Sequence, residues 1–120
     1  MRLKYFTLDE FDSPDIKGSG ERMDEQFLIK LDAARHLAQI PFKINSGYRT
    51  PERNRKVKGK ANSSHLKGLA CDIKCTDSKA RFKIVESLIL VGFNRIGISD
   101  TFIHVDDDKM KVQEVIWTYG

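Results

Sequence analysis

The sequence predicts an α+β fold in which a small, mostly antiparallel sheet packs against helices. The clearest amphipathic helix, from Asp24 to about Gln39, comes early in the chain. A second helix, capped by Thr76-Asp77 and running to about Val91, is expected in the middle. Strand-like segments are concentrated after it. This order of elements is typical of α+β domains.

The N-terminal half contains clear signals for helix boundaries. Thr7-Leu-Asp-Glu10 has the spacing of a capping box, so a short helix is expected to begin near Leu8. A short strand is expected over Pro41–Asn45, and Thr50-Pro51-Glu52 predicts a helix that continues to about Val57. In the long helix, apolar residues recur at steps of three and four, and these are Phe27, Leu31, Ala34 and Ala38, widened by Leu28 and Leu37.

The C-terminal half alternates one helix with strands. Leu69–Lys74 has the small and apolar residues of a buried strand. Arg95–Ser99 and Phe102–Asp106 are predicted to form a hairpin that turns at Asp100-Thr101, and Val112–Tyr119 is predicted to contain the last strand. The core face of the second helix is expected to consist of Phe82, Val85, Leu88 and Ile89, with Ile84 and Val91 flanking it.

Length and composition indicate one soluble globular domain over residues 1–120. Hydrophobic residues make up 40% of the chain and charged residues 32%. No apolar run approaches the roughly 18 residues of a membrane span, and no signal peptide is recognisable, so we expect a protein that is cytoplasmic as synthesised. The net charge of +4 favours an ordinary solvated surface over attraction to a polyanion. We expect a monomer with no nucleic acid or membrane partner.

The two cysteines are predicted to be packing residues. Cys71 and Cys75 are four positions apart, which is about 13 Å in an extended strand and too far for a disulfide. No second Cys/His pair has the spacing of a zinc knuckle.

Two histidines and a carboxylate are the candidate metal ligands. His65 and Asp72 are seven residues apart, and His104 follows thirty-two residues after Asp72. Two imidazoles and a carboxylate can hold a catalytic zinc with a fourth position open. If the strands that carry Asp72 and His104 are neighbours, both side chains can meet on one face, and Gly68 allows the loop that carries His65 to fold back. Taken singly, Asp72 can also be a capping residue and His104 a half-buried histidine.

Three segments together resemble a known family. They are Ser46-Gly-Tyr-Arg49, the His65, Gly68, Ala70 and Asp72 spacing, and Phe102-Ile-His-Val-Asp106. The chain is similar, over about Phe6 to Tyr119, to the zinc D-Ala-D-Ala carboxypeptidase and murein endopeptidase family. That family shares its fold with the amino-terminal signalling domain of hedgehog proteins. The resemblance is strongest to small peptidases of phage lysis modules and bacterial walls.

The resemblance implies zinc held by His65, Asp72 and His104, and cleavage of peptide bonds in peptidoglycan stem or cross-bridge peptides. It implies that Arg49 binds a substrate carboxylate or the oxyanion that forms on attack. Ser64 is expected either to hydrogen-bond the substrate or to shape its loop. The expected site of action is the cell wall or periplasm, reached for example through a phage holin.

The sequence departs from the family pattern at the residue that is expected to transfer the proton. Many relatives carry Glu or Asp three residues before the second histidine, where this chain has Thr101. We therefore predict Asp106 as the general base, with Asp100 as the alternative. Four further residues are given no catalytic role. Asp107 and Asp108 are expected in a solvated turn. Trp117 and Tyr119 could border the cleft, but an aromatic stripe on a strand more often belongs to the core.

The functional alternatives fall into three classes. The leading one is a zinc peptidase, either a carboxypeptidase or an endopeptidase. The second is a binding module that contains zinc but recognises a wall or protein ligand without hydrolysis, as the missing acid at Thr101 permits. The third, a small basic nucleic-acid binder, depends on charge alone and is the least favoured.

Overall fold

The computed structural model describes residues 1–120 and contains three α-helices and five strands. The helices are α1 (Glu25–Ala38), α2 (Pro51–Lys56) and α3 (Ser78–Leu90). The strands are β1 (Ile44–Ser46), β2 (Ala70–Lys74), β3 (Arg95–Ile98), β4 (Phe102–Asp106) and β5 (Val115–Thr118). Short 3-10 turns cover Leu8–Phe11, Ser19–Arg22 and Ser64–Lys67. None of the helices has the length and apolar character that crossing a membrane requires.

The five strands form one sheet in the order β1-β2-β4-β3-β5. All neighbouring pairs are antiparallel except β3 and β5, which are parallel. The predicted α+β class with a mostly antiparallel sheet is therefore confirmed. So is the hairpin, because β3 pairs with β4 and the Ser99 N–H donates to the carbonyl oxygen of Phe102 across the turn. The central position of β4 places its residues next to both β2 and β3.

Helix α1 packs its predicted stripe into the core. Phe27, Leu28 and Leu31 are fully buried, whereas Leu37 is about half exposed and does not widen the stripe. The helix begins where the sequence indicates, because the Asp24 carboxylate accepts a hydrogen bond from the Phe27 N–H at 3.0 Å. Cys71 and Cys75 are free and buried in the same core, as predicted.

The predicted core face of α3 is confirmed at Leu88 and wrong at Phe82 and Ile89. Phe82 is 67% exposed and Ile89 is 50% exposed, while Ile84 and Leu88 are buried. Ile84 and Leu88 are four residues apart and therefore lie on one side of the helix. Apolar residues occur around most of the circumference of α3, so the sequence pattern alone does not identify the side that meets α1 and the sheet.

Candidate metal centre

Asp72 and His104 are direct partners across neighbouring strands. In the register of β2 with β4, Asp72 pairs with His104, and His104 Nδ1 lies 3.0 Å from Asp72 Oδ1. The neighbouring β4 residues Ile103 and Val105 are fully buried, as the alternation of side chains along a strand predicts. The sheet thus presents the imidazole and the carboxylate side by side on its other face.

His65 reaches the same point from the 3-10 turn that precedes β2. Its Nε2 lies 3.4 Å from Asp72 Oδ1. The turn closes through Gly68, whose φ of +70° is in the left-handed region. A Cβ atom there would lie 2.3 Å from the carbonyl oxygen of Arg22, so the tight approach of the loop requires glycine.

The donor set fits zinc. The candidate ligand atoms of His65, Asp72 and His104 lie within 4.8 Å of one another. Ligand atoms about 2.1 Å from a tetrahedral zinc are about 3.4 Å apart, close to the separations of 3.4 and 3.0 Å seen here. The outer nitrogen of each ring also meets an oxygen. His65 Nδ1 lies 2.8 Å from the carbonyl oxygen of Gly47, and His104 Nε2 lies 2.8 Å from Asp106 Oδ2. Such contacts orient ligand histidines in metal sites.

Asp106 and Arg95 form a buried ion pair behind His104. Arg95 Nε donates to Asp106 Oδ1 at 2.7 Å, and the Asp108 N–H donates to the same oxygen at 3.1 Å. Asp106 is 1% exposed, and both of its oxygens are engaged. Arg95 is predicted from the sequence only as the start of a strand and not as part of the site. The signal that was available is a basic residue at the start of an otherwise apolar strand, Arg95-Ile-Gly-Ile.

The pKa shifts of the centre follow from these contacts. Burial alone would raise the pKa of Asp72, but hydrogen bonds from His104 and His65 outweigh it and hold this pKa well below its usual range. Burial alone would lower the pKa of His104, but hydrogen bonds to Asp106 and Asp72 raise it overall. Burial likewise opposes ionisation of Asp106, and contacts with His104 and Arg95 nevertheless lower its pKa. The two carboxylates are therefore ionised at neutral pH.

The centre opens into a cleft of about 570 Å³ whose lining includes Arg49 and Ser64. Arg49 Nη2 lies 3.5 Å from Asp72 Oδ2, and burial lowers the pKa of Arg49 although Asp72 opposes this. Ser64 Oγ donates to Asp108 Oδ2 at 2.8 Å and accepts from Lys111 Nζ at 2.9 Å. These contacts support a loop-shaping role for Ser64, and its hydrogen bond to substrate stays a prediction.

Asp100, the alternative base, lies away from the cleft. It is exposed in the turn between β3 and β4, where its carbonyl oxygen accepts a hydrogen bond from Arg81. Asp72 and Asp106 are the acidic residues in the cleft lining. The assignment of a general base therefore depends on Asp106, and it stays a prediction.

Asp108 is not in a solvated turn, contrary to expectation. It is 1% exposed, and its carboxylate accepts hydrogen bonds from Ser64 and from Lys67 Nζ at 3.0 and 3.2 Å. Burial opposes its ionisation, but these bonds lower the pKa of Asp108 to about 2. Asp108 thereby ties the chain after β4 to the turn that carries His65.

This tie predicts a pH-dependent contribution to stability. A carboxyl whose pKa falls from 3.8 to about 2 on folding stabilises the folded state above pH 4 by about 2 kcal/mol, and about half of this is lost by pH 3. Asp108→Asn should therefore lower the free energy of unfolding at pH 7, and its difference from the parent should shrink as the pH falls to 3. Urea unfolding at pH 7, 4 and 3 measures this, and a pH-independent difference would contradict it.

Trp117 and Tyr119 line the cleft and do not join the core. The Trp117 ring lies 5.6 Å from the ring of His104, and the Arg95 guanidinium lies 5.0 Å from the indole. Space for the indole comes from Gly97, where a Cβ atom would lie 2.6 Å from Trp117 Nε1. Gly97 is also the register partner of His104 on β3.

Gly97→Ala is expected to push the indole away from His104. Overpacking of this kind costs about 1–3 kcal/mol. Trp117 is the single tryptophan of the chain, so its fluorescence reports the change directly. We expect emission at longer wavelength and a lower urea midpoint. Thr118→Ala, at the exposed neighbouring position, is the matched control, and an unchanged spectrum in Gly97→Ala would show that the indole is not confined there.

The His-Asp-His set, with its oriented rings at an open cleft, could hold a metal ion in the manner of metal-dependent hydrolases. Comparison with known families agrees with this class. The family model for peptidase M15 matches residues 4–106, so the chain belongs to the peptidase M15 family of zinc peptidases. Comparison with curated proteins finds no match. The protein is thus a metallopeptidase by family, and its expected substrate is a peptide.

Proposed function

We propose that this protein hydrolyses peptide bonds in peptidoglycan stem or cross-bridge peptides, with zinc held by His65, Asp72 and His104. The observation that carries the proposal is the convergence of the three ligand atoms, of which two come from residues paired directly across β2 and β4. When bound, zinc supplies Lewis acidity, which lowers the pKa of water and polarises a carbonyl group. The site of action would then be the cell wall or periplasm, and the protein would act as a monomer.

The residues of the chain orient the centre and the substrate. The Gly47 carbonyl and the Asp106 carboxylate hold the outer nitrogens of His65 and His104, so that the inner nitrogens point toward Asp72. Arg49, beside Asp72 in the cleft lining, is placed to bind a substrate carboxylate or the developing oxyanion. Ser64 holds the loop of His65 through Asp108.

Two roles are compatible with the chemistry of Asp106. As a general base it would accept a proton in the cleft, as the sequence suggests. As a positioning residue it would act through His104, and its contacts with His104 Nε2 and Arg95 support this role. We propose the positioning role as its primary one, with the proton-accepting role to be separated by experiment.

A non-catalytic zinc module is the second candidate. It is favoured by Thr101 at the position where relatives carry an acid, and by the engagement of both Asp106 oxygens. The same experiment distinguishes the two functions. Muropeptides are incubated with zinc-loaded protein and analysed by mass spectrometry.

New amino termini within the peptides are expected for an endopeptidase, and loss of the terminal residue for a carboxypeptidase. Protein treated with a chelator and Asp72→Asn serve as controls that should give neither product. Absence of cleavage by the zinc-loaded parent, with retained binding to the muropeptides, would reject the peptidase and favour the binding module.

A further inference from the structure

The segment between α2 and the turn of His65 forms a cationic wall of the cleft. Lys58, Gly59 and Lys60 contribute to the lining, together with Arg49 and Lys111. We use the name cationic wall for Arg49, Lys58 and Lys60. These three basic residues add positive charge to a cleft that also contains the candidate metal ligands.

The cationic wall is held by a buried asparagine. Asn54 is 4% exposed, and its side-chain Nδ2 donates to the Lys60 carbonyl oxygen at 2.9 Å. Its backbone carbonyl oxygen accepts from the Gly59 N–H at 2.8 Å, and its Oδ1 accepts from Arg49 Nη1 at 3.4 Å. Asn54 of α2 therefore positions both the backbone of Gly59 and Lys60 and the guanidinium of Arg49.

Backbone geometry supports the same conclusion. A Cβ atom at Gly59 would lie 2.0 Å from Asn54 Oδ1 and 3.1 Å from Arg49 Nη1, so a larger residue would displace the Asn54 side chain from its contacts. Lys58 has a φ of +58°, a conformation that costs a non-glycine residue about 1 kcal/mol. The left-handed backbone of Lys58 and the close approach of Gly59 to Asn54 indicate that this segment has a defined conformation.

The ammonium charges of the wall are not balanced within the protein, whereas the Arg49 guanidinium lies 3.5 Å from Asp72 Oδ2. Neither Lys58 nor Lys60 makes an ion pair with an acidic side chain, and Lys111 lies 3.8 Å from Asp108 Oδ2, which Lys67 also neutralises. The acids of the cleft are already engaged, because Asp72 contacts both histidines and Asp106 pairs with Arg95. Lys58 and Lys60 thus leave the cleft an excess of positive charge.

We propose that the cationic wall binds a free carboxylate that the substrate peptide carries next to the bond that is cut, so that the protein selects acidic peptides over their amidated forms. This inference rests on the proposed function, since it concerns the substrate of the same centre. A carboxylate matches the wall because it can accept from both the guanidinium and the ammonium groups. An amide at the same position would leave the ammonium groups without a counter-charge.

The test compares two forms of one substrate. Muropeptides with free carboxylates and the same muropeptides amidated with ammonia and a carbodiimide are digested by the parent and by the double variant Lys58→Gln/Lys60→Gln. We expect the parent to cleave the free acids with a kcat/KM about threefold to tenfold higher, the range that exposed ion pairs provide. In the double variant this preference should fall to near one.

Lys56→Gln is the matched control, because it removes an exposed lysine at the end of α2, two residues before Lys58, that does not line the cleft. It should keep the preference of the parent. Equal cleavage of both substrates by the parent would overturn the inference. A double variant that keeps the full preference for the free acid would also overturn it, because the carboxylate would then be bound by Arg49 alone.

Failure of the proposed function gives a different result. If the parent cleaves neither substrate, the proposal that the protein is a peptidase is rejected. Equilibrium binding of the two muropeptide forms to the parent and to the double variant then still tests whether the cationic wall binds a carboxylate. Tighter binding of the free acid that weakens in the double variant and at high salt would support the wall. Equal binding of the two forms would reject it.

Discussion

Asp72→Asn is expected to lower the rate of peptide hydrolysis by about a thousandfold, because Lewis acidity supplies several kcal/mol and each 1.4 kcal/mol is tenfold in rate. The substitution keeps the size of the side chain but removes the charge that lies 3.0 Å from His104 and 3.4 Å from His65. Zinc binding, measured by competition with a chromophoric chelator, should be lost at concentrations that saturate the parent.

Asp100→Asn is the control for this prediction, since Asp100 is exposed and lies outside the cleft. It should retain both zinc binding and activity. A strong loss of activity in Asp100→Asn would restore it as the general base. Unchanged zinc binding in Asp72→Asn would show that the ligand set is wrong.

Asp106→Asn is expected to weaken zinc binding by about 10- to 100-fold, the range seen when a carboxylate that orients a ligand histidine is removed. The physical reason is the 2.8 Å contact of Asp106 Oδ2 with His104 Nε2. The variant also leaves Arg95 without its buried partner, which should lower the free energy of unfolding by about 3 kcal/mol.

Zinc affinity and kcat at saturating zinc, measured on the same variant, separate the two roles of Asp106. A loss of affinity with a kcat that recovers at high zinc indicates positioning. A kcat that falls by about 10²–10⁴-fold at unchanged affinity indicates a general base. Asp107→Asn, a neighbouring acid that does not contact either histidine, is the matched control and should alter neither quantity.

Local patterns were sufficient to predict most of the elements. The ends of α1 follow from Asp24 and the apolar stripe, and α2 follows from the Thr50-Pro51 cap. The alternation of β4 placed His104 on the face away from Ile103 and Val105. The pairing of Asp72 with His104 was expected only on the condition that β2 and β4 are neighbours, and the sheet order supplies that condition.

The positions of Asp108 and Trp117 were not predicted correctly, because they depend on contacts between distant parts of the chain. Asp108 is buried because Ser64 and Lys67, more than forty positions earlier, fold over it. Trp117 lines the cleft because β5 runs parallel to β3 and Gly97 leaves room for the indole. Neither residue has a local pattern that indicates these partners, so a sequence pattern alone does not predict their positions.

The direct pairing of Asp72 with His104 has a consequence for the folding of the chain. A shift of β4 by one residue against β2 would turn one of the two side chains to the opposite face of the sheet and separate the ligands. Zinc would then bind only the correctly aligned strands, and a ligand that binds only one state stabilises that state by an amount that grows with the logarithm of its concentration relative to Kd. The supply of zinc should therefore influence how many chains reach the native alignment, in addition to how fast each one works.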